Sequence, residues 1–108
     1  MHQMKLTKPP FEKISSGEKI IESRLFDEKR QQINIGDSIE FLQSDDFDNK
    51  IVKKVRALYR YGSFEEMFSD FPAEYFGGDS KESLLEEIHR FYPAEEESQS
   101  GVIGIRME

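Results

Sequence analysis

The sequence contains no cysteine, which excludes a disulfide framework and any thiolate metal site. Histidine is nearly as scarce. His2 and His89 are isolated, with no metal-ligand spacing around either, and His89 sits beside an apolar stripe as a surface or boundary residue. No cofactor and no metal are expected. No Ser-His-Asp arrangement can be assembled, and Gly77-Gly78 lacks the strand-to-helix lysine context of a phosphate-cradling loop. No apolar run approaches the ~20 residues that span a membrane, and Met1-His2-Gln3-Met4-Lys5 lacks the apolar centre of a signal peptide. A cytoplasmic location without membrane contact is therefore expected. Positive charge is also short. The net charge of −7 opposes tight binding to long duplex DNA, which depends on neutralising phosphates.

The charge is unevenly distributed. Residues 1–62 hold 12 Lys and Arg against 10 Asp and Glu, a surplus of +2; residues 63–108 hold 3 against 12, a deficit of −9. The first half can thus carry a locally positive cleft while the acid collects in the second half. The chain of 108 residues, 36% hydrophobic and 12% aromatic, suits one folded domain with a modest core.

Gln3–Leu6 reads as a first strand, and Pro10–Ser16 as a short helix with Phe11 and Ile14 facing inward. Gly17 is placed to end that helix, because glycine takes φ > 0 without a steric cost. Phe26–Gln32 reads as a loop or one helical turn. Gly36-Asp37 turns into a strand at Ser38–Leu42, and Ser44–Asn49 has hairpin-loop composition. From Ile51 onward the residues alternate. Ile51, Val55, Ala57, Tyr59 and Tyr61 share one face with Lys53; Val52, Lys54, Arg56, Leu58 and Arg60 share the other. Ser63 and Glu66 read as a capping box opening a helix with Phe64, Met67, Phe68 and Phe71 at i, i+3, i+4, i+7. Asp79 or Ser80 caps a further helix carrying Leu84, Leu85, Ile88 and Phe91 or Tyr92 on its apolar side, which Pro93 terminates. Glu95–Ser100 reads as a solvated acidic loop, and Gly101–Met107 as the closing strand. The expectation is an α+β domain over residues 1–108, a partly closed β-barrel of five to six strands with three to four short helices.

The densest chemistry lies in Gly17-Glu18-Lys19-Ile20-Ile21-Glu22-Ser23-Arg24. A base, an acid and a second base fall within six residues, directly after the glycine turn. In a strand, Glu22 and Arg24 share a face, and twist at the corner can bring the Lys19 ammonium to Glu22. Such a group can hold a phosphate through Lys19 and a bidentate Arg24, with Glu22 accepting from a base amino group. The same residues can equally form ordinary ion pairs on a sheet surface, worth about 0–1 kcal/mol each.

This segment resembles the Gly-x-Lys-x-x-Glu-x-Arg signature of the ASCH family, a PUA-like group of small β-barrel domains, through Gly17, Lys19, Glu22 and Arg24. The similarity continues through Asp27–Arg30, Ile35–Asp37, Leu58–Tyr61 with Ser63–Glu66, and Gly101–Ile105. It implies a PUA-like barrel and a role in binding RNA, single-stranded or carrying a modified base, or a nucleotide-like ligand. Gly17, Lys19, Glu22 and Arg24 are its candidate binding residues, with Arg30 and Tyr61 in support.

Other readings compete. Some ASCH-like proteins are described as amidohydrolases of acetylated cytidine and others as ribonucleases, so the alternative is a small metal-independent hydrolase using Lys19 and Glu22. The amidohydrolase branch has a threonine nucleophile where this chain has Glu22, and a carboxylate does not replace that hydroxyl in the same role. Glu74 is a candidate for its later acid. Lys54, Arg56 and Arg60 read as a basic row for a nucleic-acid backbone, with Tyr59 and Tyr61 either stacking bases or packing in the core. Finally, Glu86 and Glu87 mark an acidic helical face suited to a protein partner.

Overall fold

The computed structural model describes all of residues 1–108. In chain order the elements are β1 (His2–Leu6), α1 (Lys8–Ser16), β2 (Ile21–Leu25), β3 (Ser38–Gln43), β4 (Asp46–Tyr61), α2 (Phe64–Asp70), α3 (Lys81–Ile88), α4 (Ala94–Ser100) and β5 (Val102–Met107). Two 3₁₀ turns, Arg30–Gln32 and Ala73–Phe76, interrupt the connections. The strands form one curled half-barrel in the order β1-β3-β4-β5-β2, with β1 parallel to β3 and every other pair antiparallel. Four helices accompany it, so the architecture is the expected α+β, PUA-like, partly closed barrel. No helix is long and apolar enough to cross a membrane.

Apolar side chains collect on both faces of this sheet. Met4, Phe41, Val55, Ile103 and Ile105 fill the barrel with Phe11 and Ile14 of α1. Ile21, Phe64, Met67, Phe68 and Val102 form a second cluster beneath α2 and α3. β5 separates the two, which explains why it is apolar at nearly every position. Gly104 of β5 leaves room for α2: a Cβ there would lie 2.7 Å from Met67 Sδ.

The local signals behave as their chemistry requires. Gly17 sits at φ +87° and its N–H closes on Ile14 O at 3.2 Å. Ser63 Oγ accepts from Glu66 N at 3.2 Å, but the Glu66 carboxylate reaches Gly62 N and not Ser63. Ser80, not Asp79, caps α3, through a reciprocal pair of bonds with Ser83.

Four expectations are corrected. The hairpin loop is confined to Ser44-Asp45, because β4 already begins at Asp46. The acidic run at Glu95–Ser100 is helical. Pro93 precedes it, three glutamates stand in the first turn where the helix dipole favours them, and Glu97 is buried, accepting from Phe64 N at 2.8 Å. α3 ends at Ile88 with His89 as its cap, short of Pro93. The alternation of β4 is broken by a bulge between Val55 and Ala57, and one extra residue exchanges the faces beyond it. Leu58 therefore joins Val55 and Ile51 at the barrel interior, while Tyr59 and Tyr61 pack on the helical side. The basic row is split in the same way: Arg56 pairs with Glu108 at 2.6 Å, and Arg60 lies 3.5 Å over the ring of Phe26.

Candidate functional site

Gly17 ends α1, and the two residues before β2 are then pinned by the backbone. Lys19 N–H donates to Lys13 O at 3.0 Å and Ile20 N–H to Tyr75 O at 2.9 Å. Lys19 thus stands just ahead of the ladder, free of strict strand alternation. Its ammonium reaches Glu22 Oε1 at 2.7 Å. Arg24, two residues along the same face, places Nε at 2.9 Å and Nη2 at 2.8 Å from Glu22 Oε2. A further Arg24 bond runs to Lys5 O at 3.2 Å.

Glu22 is 3% exposed. Burial alone raises a carboxyl pKa, but Lys19 and then Arg24 outweigh it and hold Glu22 down to about 2. Burial likewise works against the Arg24 charge, yet Glu22 and the Tyr92 phenol push its pKa above the ordinary arginine value. Both carboxylate oxygens are engaged, with three of roughly four acceptor positions filled. The group is a buried ion triad, not the exposed sheet-surface pairing that the spacing also allowed.

Lys19, Glu22, Ser23 and Arg24 line one wall of a cavity of about 210 Å³. The other wall is built from Phe68 of α2, Phe76, Leu84, Glu87 and Ile88 of α3, and Tyr92, and is apolar but for Glu87. Phe91, 61% exposed, stands at the rim. Lys5, Leu6 and Thr7 at the end of β1 complete the mouth. No three His, Asp or Glu side chains converge as a metal-ligand group.

Of the candidate residues, the fold brings Lys19, Glu22 and Arg24 together. Gly17 turns the chain from α1 toward β2 and lies outside the cavity lining. Arg30 pairs with Asp27 at 2.9 Å, and the Tyr61 hydroxyl donates to Asp70 at 2.7 Å, which pushes the phenol up to about 12. Neither of these two lines the cavity. Two contributors escaped the sequence reading. Gly77 sits at φ +81° with its carbonyl accepting from Lys13 Nζ at 2.6 Å, and a Cβ there would lie 3.2 Å from the Cβ and Cδ of Lys19. Tyr92 registered only as an apolar helix position. The clue to Gly77 was its place after a short apolar run, since a glycine that ends a helical turn takes φ > 0.

The ASCH domain model matches residues 4–108. The chain belongs to the ASCH domain family. No curated protein matches it. Among solved structures, this ASCH domain is similar to the hypothetical protein PH0355, at 36% identity and a TM-score of 0.86, with 98% of this chain and 95% of that one covered. It is similar to protein PF0455 from Pyrococcus furiosus at 36% identity and a TM-score of 0.77, covering 99% and 94%. An ASCH protein from Zymomonas mobilis shares the fold at 12% identity and a TM-score of 0.67, over 98% of this chain and 65% of its own.

Proposed function

We propose that this ASCH domain binds RNA by taking one unpaired or modified base into the cavity beside Lys19 and Arg24. The observation that carries the reading is the pairing of walls: fixed cations on one side, aromatic and aliphatic side chains on the other. A volume of about 210 Å³ equals roughly seven waters. That is below the ~300–1,000 Å³ of drug-sized pockets and suits a base with part of its sugar. Sequence-specific proteins read RNA mostly at splayed, unstacked bases, which stack on aromatic rings. Here Tyr92 and the exposed Phe91 at the rim offer rings, while Arg24 and Lys19 offer donors. Glu22 serves to hold those two donors in place, with one acceptor position left for a base amine.

Binding is favoured over proton transfer through Glu22. A general base works best with a pKa near the operating pH, and a carboxylate held down to about 2 is a weak base at neutrality. The test is a fluorescence titration of labelled single-stranded RNA at fixed salt, with Tyr92→Ala and Arg24→Lys as variants and thermal melts to verify folding. Each variant is expected to bind at least tenfold more weakly, about 1.4 kcal/mol. Unchanged affinity in both folded variants refutes the site.

A further inference from the structure

The cations beside the cavity are not confined to Lys19 and Arg24. β1 is the terminal strand of the sheet, and two of its carbonyls, Gln3 O and Lys5 O, receive side-chain cations. Lys29 Nζ donates to Gln3 O at 2.8 Å, and Arg24 donates to Lys5 O at 3.2 Å. Residues two apart on a strand lie about 7 Å apart, so the two cationic heads stand side by side along one seam. The Lys5 side chain adds a third, 5.0 Å from the ring of Phe47, and also lines the cavity mouth.

The ion pairing along this seam is incomplete. Arg24 is matched by Glu22 and the neighbouring Arg30 by Asp27. Lys5 and Lys29 have no such carboxylate: one faces an aromatic ring and the other a neutral carbonyl. Partial burial, then Arg30, Arg24 and Lys5, lower the Lys29 pKa, with only Asp27 acting the other way. Like charges gathered in this way raise the local positive potential and draw in an anion. Across the cavity, Glu87 of α3 faces the same space, and Glu86 beside it lies 3.8 Å from Arg90. The cavity therefore carries cations along the β1–β2 seam and one carboxylate, Glu87, on its α3 wall.

We infer that the seam formed by Lys5, Arg24 and Lys29 is a phosphate site, and that the ligand is a nucleotide whose phosphate lies there while its base enters the cavity. Glu87 repels the reverse orientation. This inference rests on the cavity reading above and deepens it by naming a phosphate-bearing ligand and the residues that select for it. The Lys19 ammonium meets Glu22 Oε1 and is not among the side chains that reach the β1 carbonyls, so it lies outside this phosphate site. Arg24, by contrast, joins Glu22 Oε2 to the Lys5 carbonyl. Lys29 is exposed and stands outside the buried triad, so its truncation leaves the cavity built.

Isothermal titration with the four nucleosides, their 5′- and 3′-monophosphates, inorganic phosphate and short single-stranded RNA, at two salt concentrations, tests this. A monophosphate of the preferred nucleoside is expected to bind at least tenfold more tightly than the nucleoside itself. In Lys29→Ala that advantage falls to threefold or less while nucleoside affinity is unchanged, and the salt dependence for RNA shrinks by about 0.7 in slope. The 5′ and 3′ series distinguish the side of the sugar that meets the seam, either preference being a supporting outcome. Tight inorganic phosphate binding with no gain from an attached nucleoside overturns the inference. So does equal affinity for nucleoside and nucleotide, although that outcome leaves the cavity reading standing. A protein that binds none of the nucleosides, nucleotides or RNA overturns both.

Discussion

Replacing Glu22 by glutamine takes one charge out of a buried group in which Lys19 and Arg24 both donate to the same carboxylate at 2.7–2.9 Å. Two routes give its cost. Removing one member of a buried ion group typically costs about 3–5 kcal/mol, because the remaining charges lose their compensation. The second route runs through proton linkage. The Glu22 carboxyl is held down to about 2 from a reference of 4.5, and each unit is worth about 1.36 kcal/mol, so ionised Glu22 contributes about 3 kcal/mol. Its folded pKa lies below its unfolded one, so that contribution is fully present above about 4.5. It drains away as the pH falls toward 2. At this chain length 1 kcal/mol moves Tm by about 4 °C, so Glu22→Gln is expected to melt about 12 °C lower at pH 7. The amide group of glutamine also turns one donor toward a cationic donor, which adds to the loss. Circular dichroism melts from pH 2 to 7 check both parts. The wild type should lose stability steeply below pH 4.5, and the variant should show a shallower acid limb over the same window. A variant within 2 °C of wild type at pH 7, or parallel acid limbs, refutes the claim that this triad is a buried, coupled unit.

Two further substitutions probe the supports of the site. Gly77→Ala forces a side chain onto a backbone at φ +81° and into the stem of Lys19; it should cost about 1–2 kcal/mol and weaken RNA binding together with stability, as read by urea denaturation and titration. Glu97→Ala removes the acceptor of the buried Phe64 N–H and should cost about 1–3 kcal/mol in the same denaturation experiment, with Glu97→Gln recovering most of it because the acceptor oxygen remains.

The parts of the fold that were legible were those set by neighbours in sequence. Gly17 ends α1 because its own φ permits it. Lys19, Glu22 and Arg24 meet because Lys19 stands at the fixed corner just before β2 while Glu22 and Arg24 lie two apart on one face of it. The bulge in β4 was invisible. One inserted residue changes which face Leu58 and Tyr59 occupy without altering the composition of the run. The acidic segment after Pro93 was misread for a related reason. Glutamates at a helix start and glutamates in a loop look the same until Glu97 finds Phe64, 33 residues earlier. The resemblance puts Arg30 and Tyr61 in support of the site, yet they pair with Asp27 and Asp70 and neither lines the cavity. The apolar wall could not be located at all, because it exists only once α2, α3 and the Ala73–Phe76 turn pack over β2.

The burial of Glu22 is itself an argument about purpose. A buried ion group seldom stabilises a fold beyond what apolar side chains of similar volume would, since desolvation offsets most of the attraction. β2 demonstrates the alternative beside it, with Ile21 and Leu25 buried in the apolar layer. Stability alone therefore gives no reason for a carboxylate at position 22. What the carboxylate does achieve is geometric. Arg24 is held by two contacts to Glu22 and one to the Lys5 carbonyl, and Lys19 by Glu22 and the packing of Gly77. Two long side chains that would otherwise each lose up to about 2 kcal/mol of rotamer freedom on meeting a ligand have already been ordered by folding. On the proposed reading, a guest entering the cavity would meet donors fixed in advance, which lowers the entropic cost of binding. The cost of the triad to the fold and its value to a ligand are thus two consequences of one arrangement.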